Sequence, residues 1–307
     1  MLTAGIDRIS SLFAPGFFIA YVGPAVVGFG AAASIVSLLV GSDGISTWWA
    51  DRSTDEKIAF GGSALVGVIA IALILQSLTG LIVQLFEGYW SWEWLATIAE
   101  DWQRERRPGG WPHVDSLKYP KLAKDTMPTG LGNVLRAAED EPYQLYKIDT
   151  GIWWPRLSVL LPPGHVAQLQ GPVTFMVALL NLSAVIGVVA VVGGGFVLVL
   201  DDRWPIFVGL FLGGLLAAWL CYSAAVSQAR MYGEAFRTAF DLHRHLILNQ
   251  MRIPLPRSLS AEMSLWLALN ERYHEYNFPW DTVEFSSSQS RILRDPFLYV
   301  TAPWKKK

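Results

Sequence analysis

The hydrophobic positions of this chain gather into four long uninterrupted runs. They are Phe17 to Val40, Gly62 to Phe86, Val173 to Leu200 and Pro205 to Ser227, and none contains Asp, Glu, Lys, Arg or His. A helix needs about 20 apolar residues to cross the hydrocarbon core of a bilayer. Each run is long enough, and each exceeds an ordinary buried core helix. The pattern therefore predicts an all-α membrane protein with four transmembrane helices and cytoplasmic helical segments. Its expected parts are a first transmembrane hairpin over 1–87, a cytoplasmic segment with an interfacial helix over 88–171, a second transmembrane hairpin over 172–229 and a cytoplasmic helical tail over 230–307. The first run reads as a retained helix rather than a signal peptide. Only Arg8 precedes it as a basic residue, and it outlasts a typical signal-peptide core.

Between the second and third runs, Trp90, Trp94, Ile98 and Trp102 recur at helical spacing, with Glu93, Glu100 and Asp101 on the other side. This predicts an amphipathic helix lying along the membrane surface, ended by Pro108-Gly109-Gly110. A loop with Pro112, Pro120 and Pro128 follows. From Thr129, the positions Leu131, Val134, Leu135 and Ala138 form one apolar helical face. The glycines at 130 and 132 lack the longer pattern and the closing Lys-Ser/Thr of a phosphate loop, so they mark a helix start. Another short helix begins at Trp153-Trp154-Pro155-Arg156-Leu157 and stops before Pro162-Pro163. The fourth apolar run continues as a helix through Tyr232, Phe236, Phe240 and Leu246 and ends before Pro254 and Pro256. Ser260 to Tyr276 forms a last helix with Met263, Trp266, Leu267 and Tyr273 inward. The chain closes on Trp304-Lys305-Lys306-Lys307, which could touch anionic lipid.

Charge orients the helices. Of the 24 Lys and Arg, only Arg52, Lys57 and Arg203 fall in the loops after the first and third runs. The same loops carry Asp43, Asp51, Asp55, Glu56, Asp201 and Asp202. Basic segments stay in the cytoplasm, which puts both termini and the central segment there. Trp48, Trp49, Trp90, Trp92, Trp94 and Trp204 stand near run ends, where an interfacial aromatic belt belongs. Hydrophobic residues make up 52% and charged residues 16%, against about a quarter charged in a soluble domain. The net charge of −2 gives no electrostatic footing for nucleic acid. Cys221 is the sole cysteine and lies in an apolar run, so no internal disulfide or thiolate metal site is expected. His243 and His245 are two apart and do not chelate like an i, i+4 pair. No metal, cofactor or catalytic signature appears, and an enzyme is not expected.

Chemistry within the membrane is confined to a few polar residues. Gln76, Thr79, Gln84 and Glu87 fall within an arc of about 140° on a helix that turns about 100° per residue. Polar side chains avoid lipid, so this stripe is expected to meet protein or line a water-filled path, with Glu87 at its inner mouth. Asn181 on the third helix should lie at nearly the same depth as Gln76, to within about 3 Å at 1.5 Å per residue. A direct Asn181–Gln76 hydrogen bond is the corresponding expectation. Gly209, Gly213 and Ala217, with Gly214 and Ala218 beside them, form a small-xxx-small pattern for close helix packing. Gly193-Gly194-Gly195 marks a flexible or tightly packed stretch, and Gly23-Pro24 a kink.

Three stretches together carry a resemblance: Glu87-Gly88-Tyr89-Trp90; Leu131 to Asp140 with Trp154-Pro155-Arg156-Leu157; and Ala239-Phe240-Asp241-Leu242-His243-Arg244. They resemble a family of uncharacterised bacterial multi-pass membrane proteins of actinobacterial type, although His243 stands where that family would have an aromatic residue. The resemblance implies a bacterial inner-membrane setting and no activity. The leading functional expectation is a non-enzymatic, self-associating membrane protein with a channel-like path along the stripe. The alternative is an anchor or scaffold whose cytoplasmic helices recruit a soluble protein through Arg136, Glu139, Trp153, Trp154 and Arg156. A weaker third reading groups Arg136, Glu139 and Arg156 as an enzyme site at the membrane surface.

Overall fold

The computed structural model describes residues 15–107, 117–201 and 204–275. Arg8, the helix stop at Pro108 to Gly110, Pro112, His113, the loop residues Asp202 and Arg203, and the lysine-rich end lie outside them. Among the described residues the regular structure is helical and contains no strand. Four helices are long and apolar enough to cross a membrane: α1 Pro15–Leu39, α3 Thr54–Glu87, α7 Pro163–Val199 and α8 Trp204–Gln250. The shorter helices are α2 Ser42–Ala50, α4 Glu93–Arg106, α5 Gly130–Tyr146, α6 Thr150–Leu160 and α9 Leu259–Glu275.

The helix ends follow local chemistry. α3 starts well before its apolar run because Ser53 and Glu56 form a reciprocal capping box, each side chain bonding the other's backbone N–H. It stops at Gly88, which takes the left-handed conformation at φ 98°. The Thr129 hydroxyl accepts the N–H of Gly132 at 3.0 Å, so the glycines at 130 and 132 do open a helix. α8 runs unbroken for 47 residues and stops short of Pro254. The disruption expected at Gly23-Pro24 takes the form of a π turn over Phe18–Val22, with the Gly23 N–H reaching the Phe18 carbonyl.

The chain divides into two compact units, Met1–Ile98 with Gly171–Ala229 and Ala99–Gln170 with Arg230–Lys307. In the first, α1 and α3 meet through Ala25, Ala72 and Leu75, with Val185 of α7 packed against them. α7 and α8 approach at Gly214, where an added Cβ would stand 2.4 Å from that of Ala190. Phe86 and Tyr222 stack at 5.6 Å, joining the end of α3 to α8.

The second unit has its own core. Trp153, Leu157, Phe236, Phe240, Leu248, Trp266 and Leu269 are buried together. On α9, Trp266 and Leu269 point inward, whereas Leu267, expected inward, is exposed. The inward face drifts at about 100° per residue, and position 269 rather than 267 lies one turn on from 266. Asn270 ties this core to the corner between α5 and α6. Its Oδ1 accepts the Trp153 indole N–H at 2.8 Å, and its Nδ2 donates to the Lys147 carbonyl at 2.7 Å. Lys147 itself sits in the left-handed region, φ 63°. Asn133 closes a second loop, accepting from the Met127 N–H and donating to the Met127 and Thr129 carbonyls. On the surface of this unit the Tyr146 hydroxyl donates to Asp241 at 2.8 Å. Burial first, and then that bond to Asp241, push the Tyr146 phenol up to about 12.

Replacing Asn270 with Ala strands the Trp153 N–H and the Lys147 carbonyl. The expected loss is about 1–3 kcal/mol of stability, read as an earlier thermal transition followed by tryptophan fluorescence. An unchanged transition would mean that the clamp adds nothing.

Candidate functional site

The polar residues of the apolar helices satisfy themselves in different ways. Short hydroxyls bond back to their own helix: Ser34 to the Gly30 carbonyl, Ser77 to Leu73 and Thr79 to Leu75. Ser183 reaches across from α7 to the Ala218 carbonyl of α8 at 2.9 Å.

Asn181 has a different partner from the one its depth suggested. Its Nδ2 donates to the carbonyl of Ala20 on α1 at 3.0 Å, not to Gln76. The backbone of α1 explains the choice. Ala20 lies in the π turn over Phe18–Val22, and Pro24, four residues on, has no N–H to give its carbonyl. A carbonyl left unpaired in an apolar environment is costly, and Asn181 supplies a donor from α7. Asn181 and Ala20 are both buried. The Asn181 Oδ1 is buried without a hydrogen-bond partner among the described residues.

The stripe on α3 is divided by the packing. The face of α3 toward the first unit carries Val68, Ala72, Leu75 and Ile82. Thr79 lies on that side, half-buried, with its hydroxyl already bonded. Gln76 and Gln84 lie about 80° and 160° around the helix from these residues and are exposed. Among the described residues, neither side-chain amide has a hydrogen-bond partner. Glu87 is half-buried at the end of the helix. The four positions therefore do not line a path inside this unit. Sequence reasoning passed over Gly80, which stands four residues from both glutamines. It is exposed, and no atom lies within 4 Å of a Cβ built there. The signal was present as Gln-xxx-Gly-xxx-Gln, two amides flanking a position where another backbone can approach.

The small-residue pattern of α8 is also divided. Gly214 makes the close internal contact, while Gly209 and Gly213 are exposed and have no neighbour within 4 Å of a Cβ. They line an apolar groove of about 300 Å³ with Gly28, Ala31 and Ala190. Ala217 is half-buried. Of the glycine triplet, Gly193 and Gly194 are tightly packed against Ile35 and Phe207, and Gly195 is open.

In the second unit the residues expected to dock a partner have internal tasks. Trp153 is 0% exposed and lies edge-on to Trp266, so it belongs to the core and is not presented to a partner. Its place follows from the indole N–H, which finds Asn270 inside the unit. Trp154 is half-buried against Phe236 at 4.5 Å. Arg156 bonds the Ile152 carbonyl and lies over Tyr273 at 4.4 Å. Arg136 pairs with Asp140 at 3.3 Å and Glu139 at 4.0 Å. Burial raises the Asp140 carboxyl above its usual range, and Arg136 opposes the shift. Arg136 and Glu139 thus adjoin, while Arg156 is engaged elsewhere. Among the described residues no group of His, Cys, Asp and Glu could hold a metal ion.

The Asn181–Ala20 bond predicts a coupling between two helices. Asn181→Leu should cost about 1 kcal/mol in the wild-type background. Pro24→Ala restores a backbone donor for Ala20 and should remove most of that cost. A double-mutant cycle on detergent unfolding measures this, and strictly additive effects would contradict it.

Compared with family models, curated proteins and solved structures, the chain matches none of them.

Proposed function

We propose that this chain is a non-enzymatic multi-pass protein of a bacterial inner membrane, with both termini cytoplasmic, that self-associates through the outward face of α3. The observation that carries this reading is the pair of exposed amides at Gln76 and Gln84 on a helix long and apolar enough to span a bilayer. An amide in hydrocarbon needs a partner. It is both donor and acceptor, so the same face of a second copy is complementary to it. Gly80 between the two glutamines lets the backbones approach, as small residues do at transmembrane helix contacts. Any channel-like path along the stripe then forms between copies, with Glu87 at one end, and not through a single chain.

The test is the oligomeric state of the purified protein in mild detergent and in lipid nanodiscs, by light scattering, beside ion flux in liposomes. Wild type is expected to be a symmetric oligomer. Gln76→Leu with Gln84→Leu should shift it toward monomer, since each interhelical bond contributes on the order of 1 kcal/mol. Gly80→Ile should do so more strongly by blocking approach. A monomeric wild type would overturn self-association, and an oligomer without flux would overturn the channel-like path alone.

A further inference from the structure

The helix α4 exposes a line of large apolar side chains among its charges. Its packed side carries Leu95, Ala96 and Ala99, with Gln103 buried and accepting the Tyr119 hydroxyl at 3.2 Å. Its outward side carries Trp94, Ile98 and Trp102, which are 64%, 61% and 48% exposed. These three are one turn apart and form a continuous apolar stripe. Burying such side chains is favourable, so a stripe of this kind marks a contact surface.

We infer that this stripe lies in the headgroup–acyl boundary of the bilayer and takes phospholipid as its occupant. The inference rests on the reading of α3 as a membrane span, because the position of α4 follows from the end of α3. The chain turns at Gly88 in the left-handed conformation, and the Trp90 indole N–H donates to the Leu85 carbonyl at 2.7 Å. Trp90 is thus fastened to the last turn of α3. Only residues 88–92 separate the two helices, and five residues extend at most about 18 Å. The aromatic stripe therefore starts at the membrane surface, with Tyr89 and Trp92 exposed beside it. Tryptophan and tyrosine favour that zone because their rings are apolar and their N–H and O–H groups are polar. The stripe ends at Glu105, which continues the same face with a charge and sets the limit of contact.

The charges say which lipid chemistry matters. Arg104 is already paired with Glu100 at 3.0 Å and Asp101 at 2.8 Å. Arg106 lies over the Trp102 ring at 3.4 Å. Glu93, Glu100, Asp101 and Glu105 outnumber these two arginines along the helix. No free basic face is left to select anionic headgroups, in contrast to basic amphipathic helices. Contact is driven by the aromatic and aliphatic side chains, and zwitterionic lipid suffices.

The experiment uses the full chain with Cys221→Ser and single spin-labelled cysteines at Ile98, at the exposed α3 position Leu81 and at the exposed α9 position Glu271. The protein is reconstituted in phosphatidylcholine vesicles, and collision with oxygen and with a water-soluble nickel chelate is measured. The expected oxygen-to-nickel ratio at position 98 lies between those at 81 and 271. It should not change when anionic lipid is added or salt is raised. A ratio at 98 equal to that at 271 would place the stripe in water and overturn the inference. So would exclusion of both colliders, which would show a protein partner on the stripe. An appearance of lipid contact only with anionic lipid would overturn the zwitterionic assignment. If position 81 is itself aqueous, the span reading of α3 fails, and the inference falls with it for that separate reason.

Discussion

A buried carbonyl that loses its donor has to find another, and this requirement organises the first unit. Pro24 has no N–H to give the Ala20 carbonyl, and Asn181 donates to that carbonyl from a different helix. One backbone defect in α1 thereby specifies which residue of α7 must be polar and where it must sit. The other polar residues of these helices follow the same accounting. Serine and threonine are short enough to bond back to the preceding turn. Glutamine is longer, and Gln76 and Gln84 are left to the outside of the unit. The polar positions thus separate into those consumed by the fold and those left exposed.

The second unit uses a related device in another setting. Its two loop closures each depend on one buried asparagine, Asn133 and Asn270. An asparagine side chain presents both donors and an acceptor, so it can replace a backbone partner where helices end and chain direction changes. Asn270 reads a left-handed carbonyl at Lys147 and an indole at Trp153 simultaneously. That pairing fixes the rotation of α6 relative to α9 within this unit.

The long helices were legible in the sequence because an apolar run of sufficient length has few other structures open to it. The start of α5 and the end of α8 were legible because Thr129 and Pro254 are strong local signals. Position around the bundle was not. A stripe of residues at one helical angle shows that they share a side, but not whether that side faces in or out. Thr79 and Gln84 are both polar and stand at opposite ends of the arc, and the packing of Ala72 and Leu75 lies at the Thr79 end and divides them. The Asn181–Gln76 expectation matched depth alone. The real acceptor was a backbone carbonyl, which has no letter in the sequence and is betrayed only by the proline four residues later. Trp153 and Trp154 are adjacent and chemically alike, but an indole N–H with a partner inside the unit separates core from periphery.

The pair Trp153 and Trp266 has an optical consequence. Their rings lie 5.2 Å apart with an angle of 70° between the planes, and both are sealed from solvent. Two chromophores held this close in a fixed chiral arrangement exchange excitation and give circular dichroism that neither gives alone. Trp92, Trp94 and Trp102 are exposed and have no such neighbour among the described residues. The protein therefore contains a spectroscopic label for the integrity of its second unit, written into the same indole contacts that hold the unit closed.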